Sequence, residues 1–337
     1  MQQEKTTSSV KHSNGITRRW LLMVVFVNIV VCIGITILTP WGIIKLTSQP
    51  HPAHSYAEAV QRIEALRKQE APEMNPVCRL QFLSHDGQVE RAIVLVHGYA
   101  NCPQQFRELG QRFYDLGYNV LIAPLPHHGL ADRMTEEQAR LKAEELVVYA
   151  DQLVDIAQGL GEQVTMVGIS GGAVTTAWAA QKRSDLDLAV IISPAFGYQQ
   201  VRTALTAPGT NLYRILPNSF RWWDESLKAE RGPTHCYPRY STRALAEILR
   251  LGFAVQAAAR RDQPAAHSIL VVTNARDTAV NPELTARVVK EWREHNANLT
   301  TYEFEAAFGL PHDLIDPAQP DEQIEVVYPR LIGLITQ

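Results

Sequence analysis

The sequence predicts a doubly wound α/β fold on a mostly parallel sheet, preceded by one transmembrane helix. Three observations carry this. From residue 78 onward short apolar runs alternate with amphipathic stretches, the rhythm of strands joined by crossover helices. One run, AIVLV at 92–96, is apolar throughout, as in a strand covered on both faces. Finally, residues 20–39 read WLLMVVFVNIVVCIGITILT without a charge. At about 1.5 Å rise per residue this run is about 30 Å long, the thickness of a bilayer's hydrocarbon core.

The chain has 337 residues, of which 46% are hydrophobic and 20% charged. Such a chain can bury a sizeable core, which excludes wholesale disorder. A net charge of −3 gives no footprint for nucleic acid, so none is expected as a partner. Four cysteines are too few for a disulfide scaffold and lack the spacing of a zinc site.

Residues 20–39 exceed a signal peptide's apolar core of about 7–15 residues. The small-x-small site Ser55-Tyr56-Ala57 lies far past the apolar end. We therefore expect an uncleaved anchor, with a cleaved signal peptide and a buried core helix as the rivals. Lys5, Lys11, Arg18 and Arg19 precede the run, and Lys45 is the lone cation in a similar window after it. The positive-inside rule then keeps residues 1–19 in the cytoplasm and sends the large domain across the membrane. Residues 40–77 are expected as a linker containing a short helix over 55–70, where Tyr56, Val60, Ile63 and Leu66 recur at helical spacing.

In the domain, 78–337, strands are expected over 79–84, 91–97, 118–123, 163–168, 186–192, 268–273 and 299–304. Helices are expected over 103–116, 135–160, 171–182, 282–295 and 321–335. Thr135, with Glu136 and Glu137 behind it, reads as the start of the long helix. The alternation lapses over about 195–266, a stretch rich in aromatics and proline. This reads as a cap inserted over the carboxyl ends of the strands, where open α/β sheets bind ligands.

Gly168-Ile169-Ser170-Gly171-Gly172 fits G-x-S-x-G. The strand-like QVTMVG precedes it and the helix-like AVTTAWAAQ follows, the strand–turn–helix context of a nucleophile elbow. Small neighbours permit the tight turn, and the Gly171 amide at the helix start can donate to an oxyanion. The loop after 92–96 reads His97-Gly98-Tyr99, and the Tyr99 amide is the candidate second donor. The His97 imidazole is expected to be structural. Asp277 and His312 follow in the order acid, then base, each in a loop after a strand. Asp313 and Asp316 follow no strand and are poorer candidates for the acid. A metal held by His97, His127, His128 and His312 has no support in their spacing, so neither metal nor other cofactor is expected.

With these residues in place, the sequence resembles the α/β-hydrolase superfamily, and within it the bacterial esterase, monoacylglycerol lipase and serine aminopeptidase group. The resemblance covers about residues 78–337 and rests on His97-Gly98, Pro124 with His128-Gly129, the Ser170 elbow, Asp277 and His312. It implies a serine hydrolase with Ser170 as nucleophile, Asp277 as acid and His312 as base. His127 departs from the group's P-G-H-G, placing a bulky residue where glycine is usual.

The leading expectation is a membrane-anchored hydrolase of small acyl esters. An aminopeptidase-like serine peptidase is the alternative, with Asp224, Glu225 or Glu230 binding a substrate amine. A non-catalytic binding module of the same fold is the other. Trp222 and Trp223, with Tyr237 and Tyr240, form either the cap's own small core or an apolar wall for an acyl chain. In an oxidising compartment Cys78 and Cys102 can pair, leaving Cys236 as a buried small hydrophobe; three free thiols is the alternative.

Overall fold

A computed structural model describes residues 13–226, 228 and 232–337; of residues 13–18, 32, 33, 35 and 37 it describes the backbone alone. The expected cation Lys5, the expected Lys11 and the candidate Glu230 lie outside the described residues. The strands β1 (Gln81–Leu83), β2 (Val89–Val96), β3 (Asn119–Ile122), β4 (Gly161–Ile169), β5 (Leu188–Ile192), β8 (Ser268–Asn274) and β9 (Leu299–Phe304) form one sheet in the order β1-β3-β2-β4-β5-β8-β9. Only β1 runs antiparallel to its neighbour. A small hairpin, β6 (Phe220–Trp222) with β7 (Arg239–Ser241), stands apart.

Period-two alternation divides each central strand between two cores. Ala92, Val94 and Val96 of β2 join one cluster, and Ile93 and Leu95 join the other. Val190 and Ile192 of β5 likewise oppose Ala189 and Ile191. One face is covered by α3 (Arg107–Asp115) and α9 (Ile324–Ile335). The other is covered by α4 (Ala143–Leu160), α5 (Gly171–Lys182), α7 (Thr242–Ala259) and α8 (Pro282–Glu294). Two apolar faces under two helical layers explain why these strands read as continuous apolar runs. From β2 the chain crosses through α3 to β3 on one side, then through α4 to β4 on the other. The sheet therefore has its switch point between β2 and β4, and a crevice opens there beyond their carboxyl ends.

Three expectations need correction. The helix expected over 135–160 is interrupted. Thr135 Oγ1 accepts from Glu137 N at 3.2 Å in a local turn, a 3-10 turn spans Glu137–Arg140, and α4 begins only at Ala143. There the Glu145 carboxylate accepts from Lys142 N at 2.8 Å, satisfying an amide at the helix start. Within the 3-10 turn, Gln138 is held by tertiary bonds, donating to Arg239 O at 3.0 Å and accepting from Tyr99 Oη at 2.5 Å.

The boundary at residue 78 is too late. Ser55 caps α2 (Tyr56–Gln69) by accepting from Glu58 N at 3.2 Å, and Ala59 and Ile63 bury completely in the main core. Gly159 of α4 leaves room for this: a Cβ there would lie 2.5 Å from Ser55 O. The polar stretch ahead of α2 is also docked. Ser48 Oγ and Gln49 N donate to Asp151, and His51 N donates to Asp155. Both carboxylates approach the fully buried Arg183, at 3.5 and 2.7 Å. These residues look like a linker because, the Ser48 hydroxyl apart, their contacts to Asp151 and Asp155 run through backbone amides, which leave no pattern in sequence.

The expected cap also divides. Its second half is α7, which is buried almost throughout and belongs to the helical layer. Among the described residues, α6 (Thr203–Ile215) and the β6–β7 hairpin lie between β5 and α7 as an insertion. Ahead of all this runs α1 (Ser13–Leu38), with Trp20 to Val27 outward-facing and exposed. Among the described residues alone, no helix is long and apolar enough to cross a membrane.

Candidate active site

Ser170 stands between β4 and α5 at φ 55° and ψ −115°, a left-handed conformation that strains any residue with a Cβ. Its neighbours show why the turn needs glycine. A Cβ on Gly168 would lie 2.4 Å from Gly172 O, and one on Gly172 would lie 2.3 Å from Val96 O. The strand, the turn and the loop after β2 are thus pressed together. Ser170 N donates to Ile192 O at 3.0 Å, and Ser170 O accepts from Ala195 N at 3.1 Å. The elbow is tied to β5 on its other side.

The loop after β2 meets this turn. A Cβ on Gly98 would lie 3.5 Å from Ser170 Cβ, and one on Gly171 would lie 3.3 Å from Tyr99 N. The Tyr99 and Gly171 amides therefore sit on adjoining backbone, and among the described residues neither donates to a protein acceptor. His97 fixes the loop from beneath. Its Nδ1–H donates to Gly98 O at 2.8 Å while Nε2 accepts from Leu125 N at 2.8 Å. Burial, with the nearby His128, pushes this imidazole well below its ordinary range, so the ring is a neutral brace.

Asp277 and His312 meet. His312 Nδ1 lies 2.7 Å from Asp277 Oδ2, while Asp277 Oδ1 accepts from Ala279 N at 2.8 Å. Burial pushes the Asp277 carboxyl up, but the charge and hydrogen bond of His312 outweigh it and hold the group below the usual range. Burial likewise depresses His312, yet Asp277 raises it above the usual imidazole value. This arrangement holds one tautomer of the ring and leaves Nε2 available. Asp316 does not reach His312; it accepts from Asn101 Nδ2 at 3.2 Å. The Ser170 hydroxyl is partly exposed and forms no hydrogen bond among the described residues.

Several positioning residues left no mark in the sequence reading. Gln105 is fully buried, accepts from Gly98 N at 2.8 Å and donates to Asp313 Oδ1 at 3.2 Å, joining the Tyr99 loop to the His312 loop. Asn274 donates to Leu310 O and Pro311 O at 2.9 and 3.1 Å, tying the His312 loop to the end of β8. A buried glutamine on an apolar helix face was the one available signal for Gln105. His127 adopts φ 63°, which explains why glycine suits that position. Its two nitrogens lie 3.0 Å from Glu137 and 3.0 Å from Glu145, so it is engaged away from Ser170.

Trp223 packs edge-on to Tyr99 at 6.1 Å and against Tyr240 at 4.5 Å, on the cap side of the loop after β2. Trp222 sits half-buried in β6. Tyr237 stacks on His128 at 5.9 Å and accepts from Leu130 N at 2.9 Å. Cys78 and Cys102 are disulfide-bonded. Cys236, in the cap segment before β7, is free and half-buried, not the buried hydrophobe expected. Surface cavities of about 300 and 340 Å³ lie along α9 and between residues 45–51 and α4; the Ser170 edge is picked out by its chemistry.

Known proteins agree with this assembly. Residues 87–314 match the family described as serine aminopeptidase, S33. The thermostable monoacylglycerol lipase of Bacillus sp. (strain H-257) is 23% identical over 50% of this chain and 64% of its own. Phospholipase YtpA of Bacillus subtilis (strain 168) is 28% identical over 42% of this chain and 51% of its own. The match thus spans only about half to two thirds of these relatives. Among solved structures, one from LipS and LipT, two metagenome-derived lipolytic enzymes, superposes with a TM-score of 0.59 at 19% identity, covering 78% of this chain and 99% of that one. The Paleococcus ferrophilus monoacylglycerol lipase gives 0.58 at 20% identity, covering 76% and 96%. At these identities the likeness shows the α/β-hydrolase fold. Strand order, elbow and family match converge, and this chain belongs to the serine aminopeptidase S33 family of α/β-hydrolases.

Proposed function

We propose that the chain is a membrane-anchored serine hydrolase of carboxylic esters acting through an acyl-enzyme. The observation that carries this is the His312–Asp277 bond of 2.7 Å on the same sheet edge as the Ser170 elbow. In this reading Ser170 Oγ attacks the ester carbonyl carbon as His312 Nε2 takes its proton. Asp277 steadies the resulting imidazolium through Nδ1–H. The Tyr99 and Gly171 amides receive the oxyanion, each worth about 2.7–4 kcal/mol in the transition state. Collapse expels the alcohol, protonated by His312, and water then repeats the sequence on the acyl-enzyme. Trp223, at the cap beside Tyr99, serves as the acyl wall in this scheme, together with Trp222 of β6.

A peptidase reading draws on the family's description and needs an acidic pocket for an amine. Glu225 is exposed, and Asp224 is engaged by Ser226 N at 2.8 Å. The curated relatives are a lipase and a phospholipase by name, which favours esters. Fluorophosphonate labelling, followed by matched panels of esters and aminoacyl amides, tests the assignment. Ser170-dependent labelling with ester turnover is expected. Labelling with amide turnover alone selects the peptidase, and no labelling selects the binding module.

The anchor belongs to the same reading. It is supported by the uncharged run 20–39 and its basic flank, and by the exposed apolar surface of α1. A reporter fused after residue 337 is expected to be active outside the cytoplasm. Cytoplasmic activity alone would reverse the orientation.

A further inference from the structure

A second group of reactive side chains gathers away from the elbow. His235 and Cys236 lie in the cap shortly before β7, and Asp316 lies in the turn after His312. A ring nitrogen, the Cys236 Sγ and a carboxylate oxygen all fall within 4.8 Å of one another. His235 is 7% exposed and Asp316 is 0% exposed. His235 Nε2 is sealed from solvent and has no hydrogen-bond partner among the described residues. It lies 3.4 Å from Asp316 Oδ2.

This is an expensive arrangement for a site with no ligand. An unpaired buried polar group costs about 1–3 kcal/mol, and a buried carboxylate needs compensating charge. The hydrogen-bond donors to Asp316 are neutral: Asn101 Nδ2 to Oδ2 at 3.2 Å and Ala318 N to Oδ1 at 3.0 Å. A cation resolves both problems at once. Imidazole, thiolate and carboxylate are the ligand types of zinc, and bonds of about 2.0–2.1 Å put nitrogen and oxygen about 3.3 Å apart on a tetrahedron's edge. The 3.4 Å separation of Nε2 and Oδ2 fits that edge.

We propose that His235, Cys236 and Asp316 form a zinc-type cation site, with water as the fourth ligand. On binding, the Cys236 thiol gives its proton to solvent as the metal–sulfur bond forms. The imidazole nitrogen and the carboxylate oxygen each contribute a lone pair, and thiolate and carboxylate together cancel the charge of the dication. The outer contacts hold the ligands in place. Arg133 Nε donates to Cys236 O at 2.7 Å, Cys236 N donates to Pro233 O at 3.1 Å, and Asn101 orients the carboxylate. Asn101 follows Tyr99 in the loop after β2, and Asp316 follows His312. The cation therefore straps the cap to both loops of the Ser170 edge. Sequence spacing concealed the site because its ligands come from segments separated by α7, β8, α8 and β9.

The test uses the full chain in detergent, without a polyhistidine tag, stripped by chelator and titrated with Zn²⁺ or Co²⁺. One equivalent per chain is expected. Co²⁺ should give a near-ultraviolet thiolate charge-transfer band, and Zn²⁺ should raise Tm. His235→Ala, Cys236→Ser and Asp316→Asn should each weaken binding by more than the about 10–100-fold typical of outer-shell partners. If Asp316→Asn fails to fold, Cys236→Ser decides, since Cys236 is only half-buried. Its far-ultraviolet dichroism should stay as in the parent while the cobalt band disappears. No uptake by the parent chain overturns the proposal. So does Co²⁺ bound without a thiolate band, or equal uptake by all three variants.

Discussion

The β4–α5 elbow and the cap face each other across the same edge of the sheet, yet they are held by different forces. The elbow is clamped by backbone. Gly168 and Gly172 leave no space for a side chain, and Ser170 N and O are both tied to the segment around β5. The cap is held mostly by side chains: Trp223 packs on Tyr99, Tyr237 Oη accepts from Leu130 N and Arg133 donates to Cys236 O, beside a backbone bond from Tyr237 N to Ala100 O at 2.8 Å. Backbone clamps fix a nucleophile to a fraction of an ångström, while ring contacts and single hydrogen bonds can change with substrate. In the proposed reading, chemistry then rests on the backbone-clamped part and selectivity on the part held by side chains.

The largest effect should come from the clamped side. Ser170→Ala should lower kcat by about 10⁶-fold with unchanged secondary structure, because only one partly exposed oxygen is removed. Near-parental ester turnover would end the assignment. Asp277→Asn should cost about 10⁴-fold by favouring the wrong tautomer of His312. It carries a pH signature as well. Asp277 raises His312 above the usual imidazole range, and catalysis needs the neutral ring. Parental activity should therefore rise as pH climbs through that raised value and be lost below it. Without the Asp277 charge, the acid limb of the residual activity should move to lower pH. An unmoved limb, or a greater loss in Asp316→Asn, would show that another carboxylate orients the base.

These two variants probe residues that the sequence exposed, and the reason is physical. Strands covered on both faces write themselves as apolar runs, so β2, β5 and β8 were legible to within a few residues. A strained strand–turn–helix demands small residues at fixed offsets, so Ser170 was legible too. Gln105, Asn274 and Gln138 were not, because a side chain bonded to a distant backbone follows no period. The docking of residues 46–53 was hidden for the same reason: apart from the Ser48 hydroxyl, its donors to Asp151 and Asp155 are backbone amides, which leave no residue signature. His127 shows the converse. Its departure from glycine was visible, but only the φ of 63° explains what that position requires.

A third perturbation tests the join between the two regions. The Cys78–Cys102 bond closes a segment with a separation of 24 residues that contains β2 and the Tyr99 loop. In the chain-entropy model this closure is worth about 3.5 kcal/mol. Cys102→Ser should lower stability to denaturant by about that amount, and reductant should do the same to the parent but nothing further to the variant. kcat should fall with it, since the Tyr99 amide loses its tether. Identical unfolding curves with and without reductant would remove the bond from the account.

The smallest expected effect, and the one that sharpens the contrast most, is on the cap. Trp223 is 44% exposed, so Trp223→Ala leaves little new cavity and should cost no more than about 1 kcal/mol of stability. Its ring nevertheless covers Tyr99 beside the proposed acyl site. Losing an apolar wall removes contacts only from substrates long enough to touch it, and each methylene is worth about 1–3 kcal/mol, or 10–200-fold. In Trp223→Ala, kcat/KM for a two-carbon acyl ester should stay near the parent value, while that for long acyl chains should fall by about 10-fold or more. The fall should appear mainly in KM, because a wall that holds the chain equally in ground and transition states contributes uniform binding. A series of esters of one alcohol with increasing acyl length reads this directly. A uniform loss at every length would instead place Trp223 behind Tyr99, as a support of the oxyanion loop. No loss at any length would return the ring to the cap's own small core.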